Sequence, residues 1–129
     1  MNEPNWLDAD TVIQIHAEQL ALFGGPTGLR DRGLLESPCA RPLNRWAYGE
    51  RDLVSISASY AFGLARNHPF VDGNKRIAFH AMVTFLLIND VPFDADPAAA
   101  ADFIPRLAAG ELEEAALADW VRAHASPRG

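Results

Sequence analysis

The stretch formed by residues 77–88 constrains the fold of this chain more than any other feature. It is apolar almost all round, and only His80 and Thr84 interrupt it. A helix that is hydrophobic on every face has to be buried. The run is also too short to cross a bilayer, which requires about 20 apolar residues. It therefore predicts the central, buried helix of a soluble domain, beginning near Asn74.

Other segments have the spacing and the end signals of helices that could cover this one. Asp8 and Asp10 can each cap a first helix that ends at Gly24-Gly25, and Asp52 can cap another that runs to about Arg66. Two alanine-rich helices are expected near the C-terminus, over residues 97–108 and 112–124. Since strand alternation of useful length is missing, we predict an all-α domain of five to seven helices.

The segment between the first two long helices is expected to be less regular. Residues 25–34 resemble an ordered loop that enters a short helix around Leu34 to Glu36. Pro38 and Pro42 lack the N–H that a helix interior requires, so they predict an irregular continuation.

Length and composition favour one globular domain, over residues 5–125, with flexible tails at 1–4 and 126–129. The net charge of −6 argues against binding to nucleic acid, which requires a basic face. Cys39 is the only cysteine, so an intramolecular disulfide is excluded, and no His lies near it in sequence to make it a nucleophile. Residues 1–6 have no basic start and no apolar run. We therefore expect a cytoplasmic protein that does not associate with membranes.

Residues 68–76 concentrate chemistry in one short segment, which reads His-Pro-Phe-Val-Asp-Gly-Asn-Lys-Arg. They lead into the first turn of the buried helix, where unpaired N–H groups and the positive end of the helix dipole attract anions. Gly73 permits the backbone that such a loop needs, and Lys75 and Arg76 add cations suited to phosphate. Asp72 can bind Mg²⁺ together with substrate phosphates, and His68 can accept a proton from a hydroxyl. On composition alone, ordinary turn and capping chemistry explains the segment equally well.

The spacing resembles the motif of the Fic superfamily, His-Pro-Phe-x-(Asp/Glu)-Gly-Asn-Gly-Arg-x-x-Arg. Lys75 stands where that motif has its second Gly, and Phe79 where it has its second Arg. Both departures are similar to the death-on-curing (Doc) branch of the superfamily. The resemblance continues upstream in Gly24-Gly25 and in residues 28–31, and it covers nearly the whole chain. The positions that match the motif are His68, Pro69, Phe70, Asp72, Gly73, Asn74 and Arg76.

The Doc resemblance implies a toxin that transfers the γ-phosphate of ATP to a hydroxyl of elongation factor Tu, with Mg²⁺ as cofactor. A separate, Phd-like antitoxin chain would restrain it, docking on residues 25–34 and the groove above the central helix. By the same resemblance His68 is the general base and Asp72 the Mg²⁺ ligand. The nucleotide would be bound by Gly73, Asn74, Lys75 and Arg76, with Lys75 and Arg76 also acting in catalysis, and Phe70 would pack inward to fix the loop.

The sequence leaves two other functions open. Fic enzymes with the usual motif transfer AMP instead of phosphate, although Lys75 and Phe79 argue against that chemistry here. A degenerate Fic domain could also serve only as a binding module. His80 lies one turn beyond Arg76 and is either a supporting residue that orients Arg76 or Asp72, or a buried histidine satisfied by a neighbour. His16 and His124 are expected on the surface, since neither belongs to a constellation.

Overall fold

The structure, a computed structural model, describes residues 2–94 and 97–124. In these ranges the chain forms six helices: α1 (Ala9–Phe23), α2 (Arg32–Ala47), α3 (Leu53–Asn67), α4 (Asn74–Ile88), α5 (Pro97–Ala108) and α6 (Glu114–His124). The prediction of an all-α fold is confirmed. That of flexible tails stays a prediction: residues 126–129 lie outside the described ranges, and Pro4 in the other tail is buried.

Local capping explains where α1 and α3 begin. The Asp8 carboxylate accepts a hydrogen bond of 2.8 Å from the N–H of Thr11, and the Asp52 carboxylate accepts one of 3.0 Å from the N–H of Val54. Each bond satisfies a donor that the first helical turn leaves without a partner. Gly24, at a φ of 77°, ends α1 in the left-handed region that favours glycine.

The irregular segment expected after Glu36 is instead part of α2, which contains both Pro38 and Pro42. Pro38 cannot donate to the carbonyl of Leu34, but that carbonyl accepts a bond of 3.1 Å from the side-chain amide of Asn67. Pro38 also packs so closely on Gly63 of α3 that a Cβ at Gly63 would lie 2.9 Å from the Cβ of Pro38. Packing against α3 therefore overrides the local preference of Pro38.

The helix at the centre of the bundle is α3, not the more apolar α4. It packs against α2, α4, α5 and α6, while α1 packs against α4 and α2. Its small residues, among them Ala58, Ser59 and Ala61, are fully buried and let neighbours approach closely. The end of α4 reaches the surface, where Leu87 is 54% exposed. Consequently the predicted functional loop is held at its two ends by α3 and α4, which pack against each other.

Candidate functional site

The loop between α3 and α4 consists of residues 68–73 and is held under backbone constraint at both ends. His68 caps the C-terminus of α3 with a φ of 49° and a ψ of 59°, which is the left-handed region. Gly73 precedes α4 with a φ of 78°. Glycine adopts this conformation freely, whereas a residue with a Cβ loses about 1 kcal/mol or more there. His68 can keep this backbone only if its surroundings hold it.

Arg30 supplies much of that hold, although no sequence pattern singles out its side chain. Its guanidinium donates from Nε to the carbonyl of His68 at 2.9 Å and from Nη2 to the carbonyl of Asn67 at 3.1 Å. Its own N–H donates to the carbonyl of Pro69 at 2.7 Å. Arg30 thus donates hydrogen bonds to three successive carbonyls at the end of α3. The helix dipole also favours a cation at this place.

Phe70 anchors the middle of the loop and packs inward as expected, with 2% of its surface exposed. Its backbone forms an antiparallel bridge with Leu29, next to a bond of 3.0 Å from the N–H of Val71 to the carbonyl of Gly28. The side chain of Asn74 also accepts from the N–H of Phe70 and donates to its carbonyl, both at 2.9 Å. These bonds fix the Asn74 amide against the loop, and the backbone N–H of Asn74 stays available to a ligand.

The expectation that His16 lies on the surface is wrong. The ring is 3% exposed and stacks on Phe70, with centroids 3.7 Å apart and an angle of 9° between the planes. Its Nε2 lies 2.7 Å from the carbonyl oxygen of Asp72. The contact joins residues that are 56 positions apart, so local sequence gave no signal for it. His124, also expected at the surface, is partly buried against Trp120, whose carbonyl lies 2.9 Å from its Nδ1.

The first turn of α4 presents donors and cations that are free to bind an anion. Gly73 provides no side-chain cap, and within the described residues the N–H groups of Asn74, Lys75 and Arg76 have no hydrogen-bond acceptor. Neither cation pairs with a carboxylate in that part of the chain. The Arg76 guanidinium instead lies 4.5 Å from the centre of the Phe23 ring. Such a turn matches an anionic ligand in both charge and hydrogen bonding.

Asp72 has the features that Mg²⁺ needs when it arrives with a phosphate ligand. Its carboxylate is exposed and makes no hydrogen bond or ion pair with the described residues. A Cβ at Gly25 would lie 2.7 Å from Asp72 Oδ2, so the glycine leaves space beside that oxygen. The described residues contain no cluster of three or more metal-binding side chains. A single carboxylate fits Mg²⁺, which keeps waters and takes its other ligands from phosphate.

His68 and His80 lie in different surroundings. The His68 ring is partly buried and makes no hydrogen bond with the described part of the chain, so a ring nitrogen is available to a substrate. His80 lies edge-on to Phe79, and its ring makes no hydrogen bond to Arg76 or Asp72. Burial lowers the pKa of His80, and the positive charge of Arg76 lowers it further. By contrast, burial raises the pKa of the Cys39 thiol to about 11, which keeps this cysteine protonated.

Two cavities flank the loop. One, of about 580 Å³, is lined by Phe23, Phe79 and Ile104 and is bordered by Lys75, Arg76 and His80. The other, of about 400 Å³, lies between α1 and the segment around Gly28, next to His16 and Phe70. Both volumes fall in the range of small-molecule sites, and the first opens directly beside the free cations. No helix in the described ranges is long and apolar enough to span a membrane.

These features agree with a family match over residues 6–86, which span the site and helices α1 to α3 together with most of α4. The chain belongs to the Fic/DOC family. Over 117 residues it is 34% identical to "Protein kinase doc" of Escherichia phage P1, covering 90% of this chain and 92% of the relative. It is 46% identical over 94 residues to "Toxin Doc" of Mycolicibacterium smegmatis, covering 70% and 69%. The resemblance to Doc that the sequence predicted is confirmed.

Proposed function

We propose that this chain is a Doc-type toxin that transfers the γ-phosphate of ATP to a hydroxyl side chain of a translation factor, elongation factor Tu. The observation that carries the proposal is the first turn of α4, which directly follows the loop that holds His68 and Asp72. Among the described residues, its two cations pair with no carboxylate and three of its N–H groups have no acceptor. The name of the phage relative, a protein kinase, supports the same chemistry. Such a toxin would act in the cytoplasm, where translation takes place.

The transfer step assigns a task to each side chain. A ring nitrogen of His68 accepts the proton of the target hydroxyl as its oxygen bonds to the γ-phosphorus. The bond from that phosphorus to the β–γ bridging oxygen breaks, and ADP leaves. Lys75, Arg76 and the free N–H groups stabilise the negative charge on the phosphoryl oxygens, which is the main source of catalysis in phosphoryl transfer. The phosphoryl group replaces the proton on the hydroxyl, so atoms and charge balance.

Asp72 would hold Mg²⁺ through its free carboxylate. When bound, Mg²⁺ neutralises charge on the phosphates and orients them. The cavity beside Phe23 and Phe79 is large enough to receive the nucleoside, because it offers about 580 Å³ with a mostly apolar lining. ATP and Mg²⁺ are therefore the cofactors that this arrangement suits.

Transfer of AMP is the competing chemistry within the family. It is disfavoured by Phe79, an apolar side chain that lines the cavity where the usual motif places a second arginine. It is also disfavoured by Lys75, an exposed cation where that motif has a glycine. Both side chains change how the phosphates of the nucleotide can be bound, and neither changes the role of His68 as the general base.

Labelled ATP distinguishes these functions. The purified chain is incubated with elongation factor Tu, Mg²⁺ and ATP labelled at either the α- or the γ-phosphate. We expect label from γ-labelled ATP only, and a mass increase on the target that matches one phosphate. Label from α-labelled ATP with the mass of AMP would replace this proposal by AMP transfer. A chain that binds nucleotide yet transfers neither label to this or any other protein of a cell extract would favour the binding module.

We further propose that a Phd-like antitoxin restrains the toxin by docking over the groove at the end of α1. Leu22 and Phe23 are 76% and 60% exposed there, and Phe23 lines the cavity beside the cations. A segment that folds into an amphipathic helix on binding would cover this apolar surface. Expression of the chain alone should arrest growth, and co-expression of a neighbouring small gene should restore it. Replacing Leu22, which is not among the residues that line this cavity, by Asp should weaken that rescue; unchanged rescue would place the antitoxin elsewhere.

A further inference from the structure

His16 is a buried histidine to which the transfer reaction gives no task. Its Nε2 must donate to the Asp72 carbonyl, since a carbonyl oxygen can only accept, and the 2.7 Å distance marks a good hydrogen bond. The same ring edge faces Gly73, where a Cβ would lie 3.4 Å from Nε2. The ring face stacks on Phe70, which is itself fixed by Asn74 and Leu29. The donor is therefore rigidly aimed at the loop.

The bond from His16 lies in a loop whose other residues have hydrogen bonds of their own. Phe70 is bonded to Asn74 and Leu29, Val71 donates to Gly28, and Gly73 accepts from the N–H of Ile77 in the first turn of α4. Among the described residues, His16 provides the only hydrogen bond made to Asp72. Because the orientation of a peptide group constrains the direction of the attached Cβ, this bond constrains the direction in which the Asp72 side chain leaves the backbone.

We propose that His16 is a positioning residue that sets the affinity for Mg²⁺ by orienting Asp72. This inference rests on the proposed function only in taking Asp72 as the metal ligand, and it holds whether phosphate or AMP is transferred. His16 itself touches neither metal nor nucleotide. Loss of a hydrogen bond that orients a metal ligand commonly lowers metal affinity by about 10-fold to 100-fold.

Two substitutions separate the hydrogen bond from the packing. His16→Phe keeps an aromatic ring against Phe70 but cannot donate to Asp72. His16→Gln loses the ring stack but carries a terminal N–H at about the position of Nε2. If His16 only packs against Phe70, the Phe variant should keep a metal affinity closer to that of wild type. If His16 positions Asp72, the Gln variant should be the one that lies closer.

The readout is metal binding and not activity. Mn²⁺, a paramagnetic substitute for Mg²⁺, is titrated into each protein with a non-hydrolysable ATP analogue, and binding is followed by electron paramagnetic resonance. We expect the His16→Phe variant to need about 10-fold more Mn²⁺ than wild type, and the His16→Gln variant to lie closer to wild type than the Phe variant does. Equal Mn²⁺ affinity in wild type and the Phe variant, or a larger loss in the Gln variant, would overturn the proposal.

A measurement on the wild-type chain covers the case in which a variant does not fold. The Nε2–H proton of His16 is followed by NMR while Mg²⁺ and the analogue are added. We expect its resonance to shift, because the acceptor residue binds the metal; an unchanged resonance with metal bound overturns the proposal. Wild-type protein that takes up no metal with nucleotide overturns the inference about His16. If wild type takes up metal but transfers no phosphate, only the proposed function fails.

Discussion

The cations where α2 meets α6 and α3 meets α6 differ sharply from those at the start of α4. Arg41 and Arg45 of α2 both pair with Glu114 of α6, and Arg122 of α6 pairs with Asp52. Lys75 and Arg76 pair with no carboxylate in the described part of the chain. The first group ties helices together, whereas the second contributes no ion pair to the fold.

Lys75 and Arg76 also differ from the paired arginines in where they lie on their helix. The N-terminus of a helix carries positive charge from its dipole, so cations in the first turn of α4 are unfavourable for stability. The chain has 17 acidic and 11 basic residues, so acids to pair with them are not scarce. Cations kept unpaired at an unfavourable place are typical of a site that binds an anion. In this molecule, the pairing of a charge, more than its exposure, separates cations of the functional site from cations that stabilise the fold.

The largest effect is expected from the loop that precedes those unpaired cations. Replacing His68 by Ala should lower phosphate transfer by about 10²- to 10⁴-fold, since it removes the general base. The free energy of unfolding should change by about 1 kcal/mol or less, measured by chemical denaturation. His68→Asn is the matched control for the backbone, because Asn tolerates the left-handed conformation of residue 68. A folded variant of either kind that remained fully active would remove His68 from the mechanism.

Removing one kind of cation at a time should separate the two groups. Lys75→Ala and Arg76→Ala should each lower transfer by about 10-fold or more, because each removes a charge that stabilises the transition state. Their stability should stay equal or rise slightly, since an unfavourable interaction with the dipole is lost. Arg122→Ala should do the reverse, with unchanged transfer and a loss of about 1 kcal/mol or less.

Steady-state kinetics measure phosphate transfer by the three variants, and thermal unfolding measures their stability. If Arg122→Ala reduced transfer as much as Arg76→Ala does, the distinction between the two groups would fail.

The sequence was a good guide wherever a signal acts within a few residues. Asp8 and Asp52 were recognised as caps because the bond from a capping carboxylate reaches only two or three residues ahead. The start of α4 after Gly73 was equally local, since only the backbone of one glycine is involved. The family motif at residues 68–76 could be recognised for the same reason, because it is contiguous in sequence; the roles assigned to its residues stay predictions.

The sequence was a poor guide where distant segments decide the outcome. The two prolines of α2 look like breaks, yet Asn67 satisfies a carbonyl that Pro38 leaves free and Gly63 makes room for its ring. Similarly, His16 and Arg30 hold the loop across 56 and 38 positions of sequence. A single histidine or arginine on a helix or a loop has no pattern of its own, so its partner becomes visible only in three dimensions.

A smaller effect is expected on stability where the paired cations lie. Glu114 is the shared partner of Arg41 and Arg45, and its side chain is only 13% exposed. Glu114→Gln should lower the free energy of unfolding by about 2 kcal/mol, because it leaves two partly buried guanidinium groups without a counter-charge. Transfer per folded molecule should not change. Glu113→Gln, at an exposed position next in sequence, is the control and should have almost no effect. Equal stability of the two variants would show that these ion pairs do not support the fold.

The smallest effect concerns a proton and tests whether Arg76 is unpaired in solution. Burial and, after it, the charge of Arg76 hold the pKa of His80 below its ordinary value of 6.5. Arg76→Ala should therefore raise that pKa toward 6.5, whereas Arg122→Ala should leave it unchanged. An NMR titration of the His80 ring measures the shift.

The same lowered pKa has a consequence for stability with a definite sign. The folded chain binds the His80 proton less readily than the unfolded chain does, so stability should fall as the pH drops through about 6.5 toward the folded-state pKa. That loss should shrink in Arg76→Ala, because the folded-state pKa lies closer to the unfolded one. If His80 titrates identically in wild type and Arg76→Ala, a counter-ion already neutralises Arg76, and the contrast between the two groups of cations would lose its basis.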